Sequence, residues 1–291
     1  MAKQGLFLGL VTVNVMYQTP IPLGSNEKRQ ADGMCLAAGG PATNAAIAFQ
    51  GLGSQSRLLG AIGCHPLSSV IRDDLTHHGV TWSDLTPHEP LPPPMSSIIT
   101  STTTGDRAVI TRNAMGRRSP GMDILAGTLQ GVSILMVDGH QMQLSAEAAR
   151  QVQQCQRPVV VDAGSWKPHF DRVLRQATVV IASQQFRPPG CDTVEAAIAY
   201  LIALGIPQVA VTRGPEPILY HTPHGAGTVP VPPVQARDTL GAGDIFHGAF
   251  CHYYPEHDFQ TALAKAAMIA ATACESIWTR AWLSALRYRA K

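Results

Sequence analysis

The 291-residue chain reads as an α/β protein: a doubly wound, mostly parallel sheet flanked by helices, with a small β-sheet lid. Three observations carry that expectation. Apolar runs of strand length alternate with helix-like segments, a β-rich stretch at 96–111 interrupts the alternation, and two glycine-rich turns each open onto a helical pattern.

Strands are expected at 6–11, 57–61, 134–137, 159–161, 179–181 and 209–212, and helices near 43–51, 67–78, 146–155, 193–204, 243–254 and 261–275. Parallel strands return through crossover helices, so this alternation is the signature of a doubly wound sheet, whose ligand sites lie at the carboxyl ends of its strands. At 96–111 two β-rich runs surround Thr104-Gly105-Asp106, which is hairpin chemistry, and Pro87 to Pro94 reads as a connector. The expectation is one domain over 1–291 with a lid inserted from about 13–33 and 88–112, placed to exclude water from a transfer reaction.

Composition narrows the partners. A hydrophobic content of 45% over this length can bury a large core. A net charge of +2 without any basic block gives no footprint for nucleic acid or for an anionic membrane. Six cysteines without a C-x-x-C spacing suggest neither a disulfide scaffold nor a zinc site, so a cytoplasmic protein is expected. Lys3 and the apolar run at 6–11 are read as a buried first strand and not a secretory leader, because Thr12 and Asn14 interrupt the run. Lys265 breaks the Ala-rich stretch before Cys274, so no membrane span is expected.

The chemistry concentrates in Asp238-Thr239-Leu240-Gly241-Ala242-Gly243-Asp244. Two glycines around a small residue let backbone N–H groups approach a ligand, and Phe246, Ala249, Phe250 and Tyr253 recur at helical spacing, so the loop would sit at an anion-attracting helix N-terminus. Asp244 would then lie in the first turn, placed to take a proton from an attacking hydroxyl. A glycine-rich turn with an Asp cap is the ordinary alternative. The second stretch is Gly39-Gly40-Pro41-Ala42-Thr43-Asn44, where Asn44 offers both donor and acceptor on a first helical turn, a combination suited to sugar hydroxyls. Its ordinary alternative is a loop in which Asn44 satisfies local backbone. His77-His78 is expected to be solvent-exposed, and Trp278 and Trp282 to be core packing.

Together the early Gly-Gly-x-x-x-Asn-x-Ala and the late Asp-Thr-x-Gly-Ala-Gly-Asp-x-Phe resemble the paired signatures of the ribokinase-like (PfkB) carbohydrate kinases. The resemblance runs over nearly the whole chain, through Val137-Asp138-Gly139-His140, Val161-Asp162-Ala163-Gly164 and Val211-Thr212-Arg213-Gly214. The run from Asp244 and the ending from Cys274 to Arg280 look most like the branch of ketohexokinases and sulfofructose kinases.

The resemblance implies an ATP-dependent kinase acting on a hydroxyl of a sugar or sugar derivative, with Asp244 as base and the backbone N–H groups of Gly241, Ala242 and Gly243 as the anion hole. It implies Asn14, Gly39, Gly40, Asn44 and Asp244 around the acceptor. Ser183, Thr212, Gly214, Gly241, Gly243, Ala270 and Cys274 would lie around ATP, whose Mg²⁺ would be held mainly by phosphates and water. A monovalent cation and a homodimer through the lid are further expectations. A nucleoside kinase, or a sugar or nucleotide sensor of the same fold, are the alternatives. Three departures stand out: Asn14 where many members carry Asp, Phe186 in place of the Glu of an Asn-x-x-Glu element, and His65 where Asp is common.

Overall fold

The computed structural model describes residues 3–20, 24–105, 107–112 and 124–284; residues 21–23 of the expected lid and Asp106 of its hairpin turn lie outside these. In chain order the elements are β1 (Gln4–Gly9), β2 (Thr12–Thr19), β3 (Gly33–Gly39), α1 (Pro41–Gly51), β4 (Gln55–Gly60), α2 (Ser68–His77), β5 (Thr81–Asp84), β6 (Met95–Ser101) and β7 (Arg107–Arg112). There follow α3 (Leu125–Thr128), β8 (Ile134–Val137), α4 (Met142–Gln154), β9 (Val159–Ala163), α5 (Asp171–Leu174), β10 (Val179–Ser183), α6 (Val194–Ala203), β11 (Gln208–Arg213), β12 (Glu216–Thr222), β13 (Gly225–Val229), α7 (Ala242–Tyr253) and α8 (Phe259–Cys274).

The large sheet has the order β13-β12-β11-β10-β9-β8-β1-β4-β5. From β11 through β5 every pairing is parallel, and β12 and β13 add an antiparallel edge. Strands such as Val159-Val160-Val161 are buried throughout because helices cover both faces, which is why they read as unbroken apolar runs. Two apolar layers result. One packs α1, α7 and α8 on one face, around Phe7, Phe49 and Phe250; the other packs α4 and α6 on the opposite face, around Leu6, Leu135 and Phe170.

The small sheet, β3-β2-β6-β7, is two antiparallel pairs joined by the parallel pairing of β2 with β6. Its β2 and β3 were only partly anticipated, since Tyr17, Gln18 and Thr19 dilute the apolar alternation. The edge pair β12 and β13 was not anticipated either. Gly225 and Gly227 leave β13 with few side chains to bury, and its pairing with β12 fixes it as a strand.

One strand boundary is corrected. The apolar run 6–11 predicts a single strand, yet β1 stops at Gly9 and the small sheet starts at Thr12. The Leu10 N–H leaves the sheet to donate to Asp138 Oδ2 at 2.8 Å, so a buried carboxylate outcompetes the ladder.

Candidate active site

The chain leaves β1 toward β4 and β5 on one side and returns to β8 on the other, so the strand order reverses between β1 and β8. Ligands of open α/β sheets bind at that reversal, beyond the carboxyl ends of the strands. A cleft of about 330 Å³ lies there, lined by Leu10, Asp138, Asp162, Ser183 and Thr212 from the strand ends, with Lys167, Gly243, Asp244 and His247 beside them.

The N-terminus of α7 forms one wall. Gly241 caps it with φ 73°, a left-handed conformation that a side chain would strain, and no side chain caps the helix. Upstream, Asp238 ties the loop down: Oδ1 accepts the Leu240 N–H at 2.9 Å, and Oδ2 accepts the Trp278 N–H at 3.1 Å. The Ala242 N–H donates within the loop to Thr239 O at 3.2 Å. The N–H groups of Gly243 and Asp244 make no bond to protein among the described residues, and a Cβ on Gly243 would meet nothing within 4 Å. Those two amides are therefore the open part of the cradle, while the Ala242 amide expected to join them is already engaged.

Asp244 Oδ2 accepts the Asn44 Nδ2–H at 2.7 Å. Two residues 200 apart meet because α1 and α7 cross tightly: a Cβ on Gly248 would lie 2.3 Å from Ala45 O, so only glycine lets the helices approach this far. Burial pushes the Asp244 carboxyl up to about 6, the Asp162 carboxylate adds to the rise, and the Asn44 bond opposes it. Asp162 is also raised, chiefly by burial; His247 Nδ1 lies 3.7 Å from its Oδ2.

Asp138 has the opposite environment. Burial works against its charge, but the charge and hydrogen bond of His140 and the Leu10 N–H bond outweigh it and hold the carboxyl down at about 2. Its Oδ2 also accepts the Ala42 N–H at 3.1 Å, and its Oδ1 lies 3.0 Å from His140 Nδ1. Lys167 Nζ sits 3.4 Å from both Asp138 O and Ser165 O.

Of the residues singled out in the sequence, Asp244, Gly243, Ser183 and Thr212 line the cleft, and Gly241 and Ala242 form its turn. Asn44 joins through Asp244. Gly39 ends β3 against Asn14, where a Cβ would fall 2.2 Å from Asn14 Nδ2, and Gly40 caps α1 with φ 101°. Asn14, on the small sheet, accepts the Thr12 hydroxyl at 2.8 Å and is 6% exposed. Gly214, Ala270 and Cys274 are not among the residues lining this cleft. Asp138, Asp162, Lys167 and His247 were not assigned roles from the sequence. The signal for the two aspartates was available: each follows an apolar run of strand type at a parallel strand's carboxyl end.

The departures have local explanations. Phe186 is fully buried against Trp166 and Phe170, with ring centroids 6.0 and 6.1 Å away, so this position serves the core. His65 Nδ1 accepts the Leu67 N–H at 3.1 Å in the turn before α2. His77 is exposed as expected, but His78 is not, because its ring meets Asp74 at 3.4 Å. Trp282 is buried in the core, and Trp278 packs with Leu240 against Met16 and Ile98 of the small sheet. Arg107 of β7 donates to Thr239 Oγ1 at 3.1 Å, joining the small sheet to the glycine loop.

All six cysteines are free thiols. Among the described residues no helix is long and apolar enough to cross a membrane, and no cluster of three or more His, Cys, Asp or Glu side chains could hold a metal by itself.

Comparison with known proteins fits this geometry. A stretch of 81 residues is 40% identical to the deoxyribokinases of Salmonella typhi and Salmonella typhimurium, spanning 28% of this chain and 26% of each of those proteins. The solved structure of Arabidopsis thaliana ribokinase complexed with ribose and ATP superposes with a TM-score of 0.79 at 18% identity over 99% of both chains. A ribokinase from Thermotoga maritima gives 0.78 at 19% over 99% of this chain and 100% of that one, and a microbiome-derived acarbose kinase gives 0.81 at 20% over 96% and 94%. These likenesses establish a ribokinase-like fold. The family model described as pfkB family carbohydrate kinase matches residues 7–284, and the chain belongs to that family.

Proposed function

We propose that the protein transfers the γ-phosphoryl group of ATP to a hydroxyl of a sugar or sugar derivative. The observation that carries this reading is Asp244: a carboxylate raised to about 6, held by Asn44, at the mouth of a helix N-terminus whose N–H groups at 243 and 244 are open. A base with a pKa just below the working pH is mostly ionised yet still accepts a proton with little penalty. Asp244 takes the acceptor's hydroxyl proton as its oxygen attacks the γ-phosphorus and the bond to the β-phosphate oxygen breaks. The amides of Gly243 and Asp244 and the ammonium of Lys167 face the charge that spreads over the phosphoryl oxygens.

The cleft suits a nucleotide polyphosphate. Gly243 offers space that a side chain would fill, and Lys167 supplies a cation. Mg²⁺ supplies charge neutralisation between the phosphates when bound. With no three-residue cage among the described residues, phosphates and water would supply most of its ligands, and Asp162, which lines the cleft, could add a carboxylate oxygen. Six free thiols suit a reducing, cytoplasmic setting.

The small sheet serves as the acceptor-side lid. On its outer face the register aligns Leu36, Val15, Ser97 and Ile110, and Met34, Leu36 and Ile110 are 60%, 48% and 76% exposed. A second copy of this face would cover that apolar surface, giving a homodimer. Sedimentation of the wild type and of Ile110→Asp tests it: a dimer that dissociates in the variant is expected, and a wild-type monomer at micromolar concentration overturns it.

Release of ADP measured across pentoses, hexoses, deoxyribose and nucleosides tests the main reading. Turnover with a sugar that disappears in Asp244→Asn is expected. Turnover restricted to nucleosides would move the assignment to a nucleoside kinase, and binding without turnover to a sensor.

A further inference from the structure

Arg280 lies outside the cleft lining, yet it reaches the base through one intermediary. Its Nη1 donates to Asn44 Oδ1 at 2.8 Å, and its Nη2 donates to Ala38 O at 2.7 Å and to Asp74 Oδ2 at 3.3 Å. Asp74 is anchored in turn: the Ala38 N–H donates to its Oδ2 at 3.0 Å, and His78 meets its Oδ1 at 3.4 Å. The Arg280 side chain is 13% exposed, and its Nε is buried with no hydrogen-bond partner among the described residues. Placing a cation here with one donor unused is costly, so its geometry calls for a function.

A carboxamide has one accepting and one donating end, and only its neighbours decide which way it points. Arg280 can only donate, so the Asn44 oxygen must face it and the Asn44 nitrogen must face Asp244. The reverse orientation would set two oxygens against each other at 2.7 Å, or require Asp244 to be protonated. With Oδ2 taken by Asn44, Oδ1 is the Asp244 oxygen without a protein donor among the described residues.

We propose that Arg280 is a positioning residue that locks the Asn44 carboxamide so that it donates to Asp244 Oδ2, keeping that carboxylate ionised with Oδ1 free for the acceptor's proton. The inference deepens the kinase reading and rests on it for its catalytic meaning. The groups that face Asp244 are Asp162 from β9, Asp138 just after β8, His247 from its own helix and Asn44 from α1; those that face Arg280 are Asp74 from α2, Asp244 itself and Cys35 from β3.

The test uses a neutral pair deletion, Arg280→Met with Asp74→Asn, which removes one positive and one negative charge together and leaves no lone buried ion. Thermal melting first identifies a folded variant. The Asp244 carboxyl is then titrated by ¹³C NMR in the wild type, the pair variant, Asn44→Ala, and the combination of all three substitutions. Losing an oriented donor to a carboxylate should raise the midpoint by about one to two pH units in the pair variant. A similar rise is expected in Asn44→Ala, with no further rise in the combination, because Arg280 acts through Asn44. The acid limb of kcat/KM should move with the midpoint, and Arg280→Lys should restore part of it. An unchanged midpoint in the folded pair variant, or fully additive rises, overturns the proposal. The NMR midpoint needs no turnover, so a wild type without kinase activity would sink the kinase reading while the titration still decides the role of Arg280.

Discussion

Two helix N-termini meet at the cleft, and they are used in opposite ways. Both α1 and α7 begin after a glycine with positive φ, 101° at Gly40 and 73° at Gly241, and neither has a capping side chain of its own. The start of α1 is filled from within, because Asp138 accepts the Ala42 N–H and the Leu10 N–H together. The start of α7 keeps the amides at 243 and 244 open to the cleft and carries Asp244 in its first turn. The same backbone device is a structural clasp where the fold supplies its anion and stays open to the cleft where it does not. Their carboxylates diverge accordingly, to about 2 for Asp138 and about 6 for Asp244.

The largest expected effect comes from removing the carboxylate at the open helix start. Asp244→Asn should lower kcat by roughly three orders of magnitude or more, with nucleotide affinity within about tenfold of wild type. The same substitution should stabilise the protein. A carboxyl raised above its unfolded pKa favours folding when protonated, so its ionisation weakens the fold progressively as pH rises from about 4 through 6. Above that window the neutral carboxamide would relieve about 2 kcal/mol, allowing for partial screening by the open cleft. Melting of both proteins at pH 7.5 and pH 4 checks this: the variant should be more stable only at the higher pH. A kcat within tenfold of wild type would remove Asp244 from the mechanism.

Filling the open N-terminus comes next. A Cβ at Gly243 would meet no protein atom within 4 Å and there is no positive φ to strain, so Gly243→Val should keep the fold. Its side chain would occupy phosphate space, and ATP affinity measured by calorimetry should fall about a hundredfold, the equivalent of two good hydrogen bonds to charge. Unchanged affinity would place the polyphosphate elsewhere.

The filled N-terminus should respond in stability. Asp138→Asn should cost about 2 kcal/mol at pH 7, because the fold holds this carboxyl down at about 2. Because this carboxyl is depressed, its contribution is complete above about pH 4 and fades as pH falls toward 2, the reverse of the trend at Asp244. Denaturant unfolding at pH 7 and pH 2.5 should show the gap closing. A gap that persists at pH 2.5 would mean that shape, not charge, fills the start of α1.

The smallest effect is expected at Asn14, one sheet away. Asn14→Asp adds a charge on the acceptor side and should shift the kcat/KM ratio between an anionic and a neutral sugar a few-fold toward the neutral one, since like charges repel. A ratio that does not move would remove residue 14 from acceptor selection.

The sequence by itself determined most of the parallel sheet and the glycine turn that opens α7. Buried parallel strands show as unbroken apolar runs because both their faces are covered, and Gly241, Gly243 and Asp244 announce a helix start because backbone geometry demands those residue types locally. Gly39, Gly40 and Asn44 were legible for the same reason. What the tertiary structure decided is everything that depends on distance between remote segments. That Asn44 meets Asp244 follows from the crossing of α1 and α7 at Gly248. That Asp138 fills one helix start while Asp162 faces the cleft follows from which strand each ends. That Phe186 belongs to the core, and that Arg280 reaches Asn44, follows from side chains brought together across the fold. Local propensity is written in neighbouring residues, whereas a carboxylate's charge state is set by burial and by partners that only folding assembles.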